Sequence, residues 1–386
     1  MILLEKNENK IKLFFYFVLI LVSVNTIWTF FEKSIFGDLK HFGDSQLYFC
    51  ALKKYAENLN PYGDMNCFGK ETIMHFQYTP LALIILYPIN YIDLNTYKYL
   101  WFFLELISII AIFFYSKKIF RFKTNSLILI LFILFSFGGV GWSGFLSGNI
   151  SIILCAIILY GINKLVEKKI SLYLISIIIV SFFKPYYLIF LLSGFAIYKN
   201  YFFKYFFFSL TSLILINVIF FYFNQSLYLN YVEVVNIARS NIFYENFGSG
   251  IGLIGLLNGF IIDFNSNLLN ISQIFWLSVV FLFSFVFIFY IKNIDDKTKL
   301  CFSLILSSFL NPYLMNYDLY IPIISILYLS ESIFFYKNKI NNIFFSLFLI
   351  SFLITIHDKF ACLFLLSLIL FLFFINSFKN IEKRIS

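Results

Sequence analysis

Between its charged breaks the chain is almost continuously apolar, in runs that lack the polar stripe a helix shows when one face meets water. Twelve such runs read as helices, at about 13–31, 97–115, 126–139, 149–163, 170–183, 185–197, 205–223, 271–291, 299–310, 319–336, 340–356 and 361–376. Several are short for a hydrocarbon layer about 30 Å thick, which takes roughly 20 helical residues, so local thinning of the bilayer or neighbouring loops must help them across. The fold expected is an all-α polytopic membrane protein, with 1–386 forming a single integral membrane domain. One further apolar run, 79–92, is expected to be re-entrant or to lie on the membrane surface. Counting it as a span would place Lys117, Lys118, Arg121, Lys123, Lys164, Lys168 and Lys169 outside, against the cytoplasmic preference of Lys and Arg.

With that run left out, the N-terminus, the loops near 120, 166, 201, 295 and 338, and the C-terminus are cytoplasmic and hold 20 of the 29 Lys and Arg. The first run is long enough to span and lacks a small-residue cleavage site, so it reads as a retained first helix. Several polar, irregular segments then share the outer face: a large first outer loop (32–96), the Lys184-Pro185 junction, a second outer loop (224–270), and Asn311 to Asp318. Polar backbone at membrane depth persists where it lines a cavity or packs in protein, and Pro185 and Pro312 mark helix breaks. A shared outward cavity is the expectation. The second loop, with Arg239, Glu245 and a cluster of glycines from Gly248 to Gly255, reads as a partly ordered lid.

Composition narrows the class further. At 61% hydrophobic and 13% charged residues, with mean hydropathy +0.87, the chain lies outside the range of soluble globular proteins. Its net charge of +9 is what membrane insertion selects and calls for no nucleic acid. The five cysteines have no C-x-x-C spacing and only three histidines accompany them, so no zinc site is expected. Cys50 and Cys67 share the first outer loop and could pair, but free thiols are the expectation. No Walker motif, phosphate-cradling glycine loop or Asp-x-Asp metal motif stands out, and the cytoplasmic loops are too short for a nucleotide-binding domain. Neither a cofactor nor a metal is expected.

Asp44, in His41-Phe42-Gly43-Asp44-Ser45, is a carboxylate just past the first span, and ionisable groups beside the bilayer are costly and kept for function. Asp44 with Tyr48 and Asn60-Pro61-Tyr62, then Tyr78-Thr79-Pro80, Gly148-Asn149, Phe183-Lys184-Pro185, Asn224-Gln225-Ser226, and Asn311-Pro312 before Tyr317-Asp318 form an order that resembles glycosyltransferase family 87. The resemblance covers about 44–325. It implies a GT-C-like bundle of about 12 transmembrane helices, with surface-lying helices in the large first outer loop. It also implies a metal-independent, inverting transfer of a hexose, mannosyltransferase-like, from a polyprenyl-phosphate-linked donor to a lipid or glycan acceptor. The enzyme would sit in the inner or plasma membrane with its active site facing the periplasm or exterior. Where the family has Ser-Pro followed by Trp and His-Tyr, this chain reads Asn311-Pro312-Tyr313-Leu314-Met315-Asn316-Tyr317-Asp318, without the histidine.

Sugar transfer needs a base for the acceptor hydroxyl, and Asp44 fits, although an Asp before an amphipathic helix is also an N-cap. The leaving phosphate needs fixed cations. Lys184, read as a lone cation between two apolar helices, is the first candidate, with Arg239 and His41 beside it. Asp318 could bind sugar hydroxyls or cap the helix from Leu319, and Tyr48, Tyr62, Tyr78 and Tyr317 could offer rings and hydroxyls to sugars or belong to the interfacial aromatic belt. Glu105 should face the bundle interior and pair with a polar group. Two other readings compete: an O-antigen-type polymerase or ligase, whose large loop usually comes late in the chain, and a transporter or flippase, for which no internal repeat is visible.

Overall fold

The computed structural model describes residues 43–63, 75–122, 125–238, 295–311 and 314–334, most of 13–28, and a few positions between 271 and 282. His41, Cys67, Arg239, the spans at 340–356 and 361–376 and most of that at 271–291 lie outside the described residues, as does the greater part of the second outer loop. Among the described residues all regular structure is helical: α1 Gly43–Ala56, α2 Pro80–Leu86, α3 Leu94–Phe120, α4 Ser126–Ser147, α5 Ser151–Val166, α6 Ile170–Phe183, α7 Leu192–Tyr198, α8 Phe203–Phe223, α9 Gln225–Ala238, α10 Asp296–Phe309 and α11 Tyr320–Phe334. Helix α9 corrects the reading of 224 onwards as loop.

Among the described residues, two helical stretches are long and apolar enough to cross a membrane, Leu94–Phe120 and Pro185–Phe223. The second is interrupted near Lys199, whose φ of 51° and ψ of −132° end α7 before the chain resumes in α8. The remaining apolar helices, such as Ser151–Val166 and Ile170–Phe183, run 10–17 residues, so helix length by itself does not carry a count of twelve spans. The 79–92 run folds as the short helix α2 and a 3₁₀ turn, Tyr87–Tyr91, too little for a crossing.

Helix α3 sets the scale. Asp93 caps its start by accepting from the N–H groups of Asn95 and Thr96, and a left-handed Arg121 closes its end. Its 27 residues rise about 40 Å. At the Arg121 end lie the basic turns: Lys118 Nζ is 2.7 Å from Glu167 Oε1, Lys164 is 2.9 Å from Oε2, and Tyr198 Oη is 3.5 Å from the Leu165 carbonyl. The loops near 120, 166 and 199 therefore share one end of the bundle, as the charge distribution predicts. The lysines hold the Glu167 carboxyl well down, to about 2, with Lys118 the largest cause.

Between apolar helices in lipid there is little hydrophobic drive to associate, so close packing of small residues has to hold them. Gly161 of α5 supplies it: a Cβ there would fall 2.8 Å from the Ser176 Cβ of α6. Outward-facing Phe207, Phe208, Leu215, Val218 and Tyr222 of α8 stay exposed, as a lipid-facing surface requires. Inside, Trp101, Tyr97, Tyr48, Phe76 and Tyr62 are buried beneath the end of the bundle opposite the basic turns.

A buried carboxylate and ion pair at the helix breaks

Four helix ends converge at that opposite end, and each is made by a local rule. Helix α4 stops at Gly148, whose φ of 70° is the left-handed conformation glycine adopts without a Cβ penalty; the Gly148 and Asn149 N–H groups turn back onto the Gly144 carbonyl. Helix α6 stops at Lys184 because Pro185 follows: Lys184 is extended, at φ −125° and ψ 97°, as a residue before proline must be. Proline also leaves carbonyls of the last α6 turn without N–H partners, and the Thr79 hydroxyl donates to that of Phe182. Helix α1 starts at Gly43, which places Asp44 in its first turn where the helix dipole favours an acid. A 3₁₀ turn, Asn316–Asp318, leads into α11.

These ends bring Asp44, Asn149, Ser151, Lys184 and Asp318 into one hydrogen-bonded chain. Asn149 Nδ2 donates to Asp44 Oδ2 at 2.8 Å, and its Oδ1 accepts from the Ser151 N–H at 2.9 Å. Ser151 Oγ accepts from Lys184 Nζ at 2.5 Å and stands 2.7 Å from Asn149 Oδ1 and 2.8 Å from Asp318 Oδ1. Its single proton serves one of those two acceptors at a time. Lys184 Nζ also donates to Asp318 Oδ1 at 2.7 Å, with both side chains almost fully buried. Asp318 further accepts from Tyr187 Oη at 2.7 Å and Tyr186 Oη at 3.3 Å.

Lys184 is thus not the lone cation the sequence suggests: it is paired. A lysine in low dielectric needs a counter-ion, and the α10–α11 turn delivers one from 134 residues away. Three tyrosine rings, Tyr317, Tyr187 and Tyr186, surround the ammonium at 5.1, 5.5 and 5.8 Å. Nor does Asp318 cap the next helix, since its oxygens face Lys184 and the hydroxyls.

Asp44 is half-buried, and burial pushes its carboxyl above the ordinary carboxylate range; Asn149, Ser147 and the charge of Lys184 pull the other way. The four tyrosines divide into two pairs. Tyr48 and Tyr62 are 1% exposed and serve the framework: Tyr48 Oη meets Tyr78 Oη at 2.9 Å and accepts from the Ile150 N–H, while Tyr62 Oη donates to the Tyr78 carbonyl. Tyr78 and Tyr317 stay partly exposed beside the carboxylates. Glu105 faces inward as expected, its Oε1 accepting from Trp101 Nε1 at 3.1 Å, and the same indole N–H reaches the Gly148 carbonyl at 2.9 Å.

Among the described residues these groups form a packed polar cluster; much of the segments expected to wall an outward cavity, the second outer loop above all, lies outside the described residues. Behind Asp318, a void of about 10 Å³ between Tyr186, Tyr187, Ser307, Ser308 and Asn311 has room for about one water. Cys50 is disulfide-bonded, which corrects the expectation of a free thiol, while Cys155 and Cys301 are free and buried. Sequence reasoning missed Asn149 and Ser151 as site residues; the available signal was an Asn directly after a helix-stopping glycine. No cluster of His, Cys, Asp and Glu able to hold a metal occurs among the described residues.

No characterised protein and no solved structure matches the chain. A family model does, over residues 76–314, a stretch that takes in α2 through α10 and contributes Asn149, Ser151 and Lys184 to the cluster. By that match the chain belongs to glycosyltransferase family 87.

Proposed function

We propose that this protein transfers a hexose from a polyprenyl-phosphate-linked donor to a lipid or glycan acceptor at the outer face of the membrane, with Asp44 as the base. The observation that carries the reading is the joining of a half-buried carboxylate to a buried Lys184–Asp318 pair at the helix-break end of a family 87 bundle. In the step envisaged, Asp44 takes the acceptor hydroxyl proton as the acceptor oxygen bonds to the anomeric carbon. The bond from that carbon to the phosphate oxygen breaks, and its electron pair leaves with the polyprenyl phosphate, so configuration inverts. A base in this role contributes roughly 100- to 10,000-fold in rate. Raising the Asp44 pKa by burial makes the carboxylate a better proton acceptor than one in water.

Lys184 spends two of its three N–H groups on Ser151 and Asp318, and the third is offered to the departing phosphate. Tyr78 and Tyr317 are the sugar-facing candidates, and Arg239 and His41 would close the phosphate site from the outer loops. Two observations support the outward orientation. The basic turns gather at the opposite end, as cytoplasmic loops do, and a disulfide at Cys50 suits an oxidising compartment. Family 87 membership favours transfer over the transporter alternative.

Full-length protein in lipid nanodiscs, offered a panel of polyprenyl-phosphate hexoses and, separately, nucleotide sugars, tests the proposal. Transfer from a lipid-linked donor, lost in Asp44→Asn, is expected. Turnover from nucleotide sugars alone, or an Asp44→Asn variant with wild-type turnover, would overturn it.

A further inference from the structure

The cluster holds one residue whose geometry is more constrained than a helix start requires. Asn149 is 3% exposed, and its amide can face only one way: Oδ1 has two donors in front of it, the Ser151 N–H and hydroxyl, while Nδ2 has the Asp44 carboxylate. The backbone is pinned as well. Gly148 before it is left-handed, the Gly148 carbonyl accepts from Trp101, and the Asn149 N–H returns to Gly144 at 3.2 Å. Swinging the side chain away from Asp44 would therefore also give up both Ser151 contacts at the start of α5.

We propose that Asn149 is a positioning residue for the transfer: through Nδ2 it fixes the Asp44 carboxylate, and through Oδ1 and Ser151 it ties that base to the Lys184–Asp318 pair. The inference rests on Asp44 being the base. It adds that the base and the ion pair form one hydrogen-bonded unit, in which a carboxylate near the acceptor is held in register with the cation near the leaving phosphate. The carbonyl end of Asn149 is what makes the link, since Ser151 Oγ accepts from Lys184 on its other side. A hydrogen bond donated to the charged form of a carboxyl favours ionisation, so Asn149 also limits how far burial raises Asp44.

The groups facing Asp44 are Lys184 at the end of α6, Tyr48 on α1, Tyr78 before α2, Glu105 on α3 and Tyr317 before α11. Tyr78 and Tyr317 are themselves hydrogen-bonded to Asn149, so Tyr78→Phe and Tyr317→Phe serve as controls, and a shift of the Asp44 midpoint beyond theirs reports on the Asn149–Asp44 contact. Two variants separate the roles. Asn149→Asp keeps an oxygen for the Ser151 N–H, and so keeps the start of α5, but sets a second acid against Asp44. Asn149→Ser keeps a short acceptor and loses the reach to Asp44.

The midpoint of Asp44 protonation is read by infrared difference spectroscopy of full-length protein in nanodiscs, subtracting Asp44→Asn, which requires no turnover. The midpoint should rise by about one pH unit or more in Asn149→Asp and by less in Asn149→Ser. In the transfer assay the acid limb of kcat/KM should move by the same amount, with kcat down about 10- to 100-fold, the scale of losing one hydrogen bond to a charged group, and KM for the lipid donor unchanged within about twofold. Midpoints equal to wild type in both variants would overturn the contact, whatever the role of Asp44. A midpoint that moves while the rate profile does not would overturn the positioning role. Wild-type turnover in Asp44→Asn is a different failure, that of the base assignment, and the two are told apart by that one variant.

Discussion

Removing either partner of the Lys184–Asp318 pair should cost more stability than a phosphate-binding lysine would, and removing both should recover part of it. Breaking a buried ion pair by deleting one member typically costs about 3–5 kcal/mol, because the other charge stays behind uncompensated. The environments of the two members rank the variants. In Lys184→Met the Asp318 carboxylate keeps Tyr187 at 2.7 Å, Ser151 at 2.8 Å and Tyr186 at 3.3 Å, and hydrogen bonds to a charged group are worth about 1.5–3 kcal/mol each, so the cost falls near the lower end, about 3 kcal/mol. In Asp318→Asn the ammonium keeps Ser151 and three ring faces beyond 5 Å, each worth about 0.5–2 kcal/mol, so the cost moves upward, to about 4 kcal/mol. The double variant buries no charge at this point and should cost no more than the worse single one. The coupling is then about 3 kcal/mol, at the upper end of what contacting side chains show. Equilibrium unfolding of purified protein in mixed detergent micelles, titrated with dodecyl sulfate, gives all three values. Additive single costs, with a coupling below about 0.5 kcal/mol, would show that the pair is not a structural unit.

Because burial raises the Asp44 pKa, transfer should fall on acidification at a pH above the ordinary carboxylate range, as the base takes up a proton; a kcat/KM profile with its acid limb at or below pH 4 contradicts this. The same shift has a stability sign: an acid raised in the folded state stabilises fully below its unfolded pKa and loses that contribution as pH climbs through the folded value. Asp44→Asn should therefore unfold at a higher temperature than wild type at pH 7, though not at pH 3, and equal melting at both would argue against a buried charge. Cysteine labelling in intact cells should find position 166 reachable only from the cytoplasm and positions 60 and 95 only from outside; cytoplasmic labelling of 95 would make 79–92 a true span. Glu105→Gln preserves the acceptor for Trp101 and should leave transfer within about threefold of wild type and folding unimpaired, whereas Trp101→Phe, by freeing the Gly148 carbonyl in a dry site, should destabilise by about 1–3 kcal/mol.

Asp44, Lys184 and Asp318 were legible because a charge in a greasy chain has few innocent explanations, and Pro185 announced the break that exposes Lys184. That they gather at one end was legible too, since counting spans by Lys and Arg puts all three on the same side. What they do to one another was not: nothing in local pattern says that Lys184 finds its counter-ion on a turn more than a hundred residues away. Nor does periodicity separate Tyr48 and Tyr62, locked inside, from Tyr78 and Tyr317, since all four sit in similar aromatic surroundings. The sequence of helix α9 reads as loop because its polar residues, Gln225, Asn230 and Glu233, look like a solvated segment until packing is known. Asn149 was visible as a motif residue but gained a role only when the left-handed Gly148 aimed it at Asp44.

The tie between the Thr79 hydroxyl and the Phe182 carbonyl also has a meaning for biogenesis. The two residues leave the ribosome 103 positions apart, and Lys184 precedes Asp318 by a further 134. At translation rates of about 5–20 residues per second, α2 waits roughly 5–20 s for its partner, and the lysine waits still longer for its acid. A nascent chain stalled before Asp318 emerges must therefore hold Lys184 at an interface or against the insertion machinery, and crosslinking from position 184 in stalled chains should report that machinery until, and only until, residue 318 is released. Until residue 318 emerges, Lys184 lacks the carboxylate that it pairs with in the folded chain, and a hairpin inserted without that partner would carry an uncompensated charge.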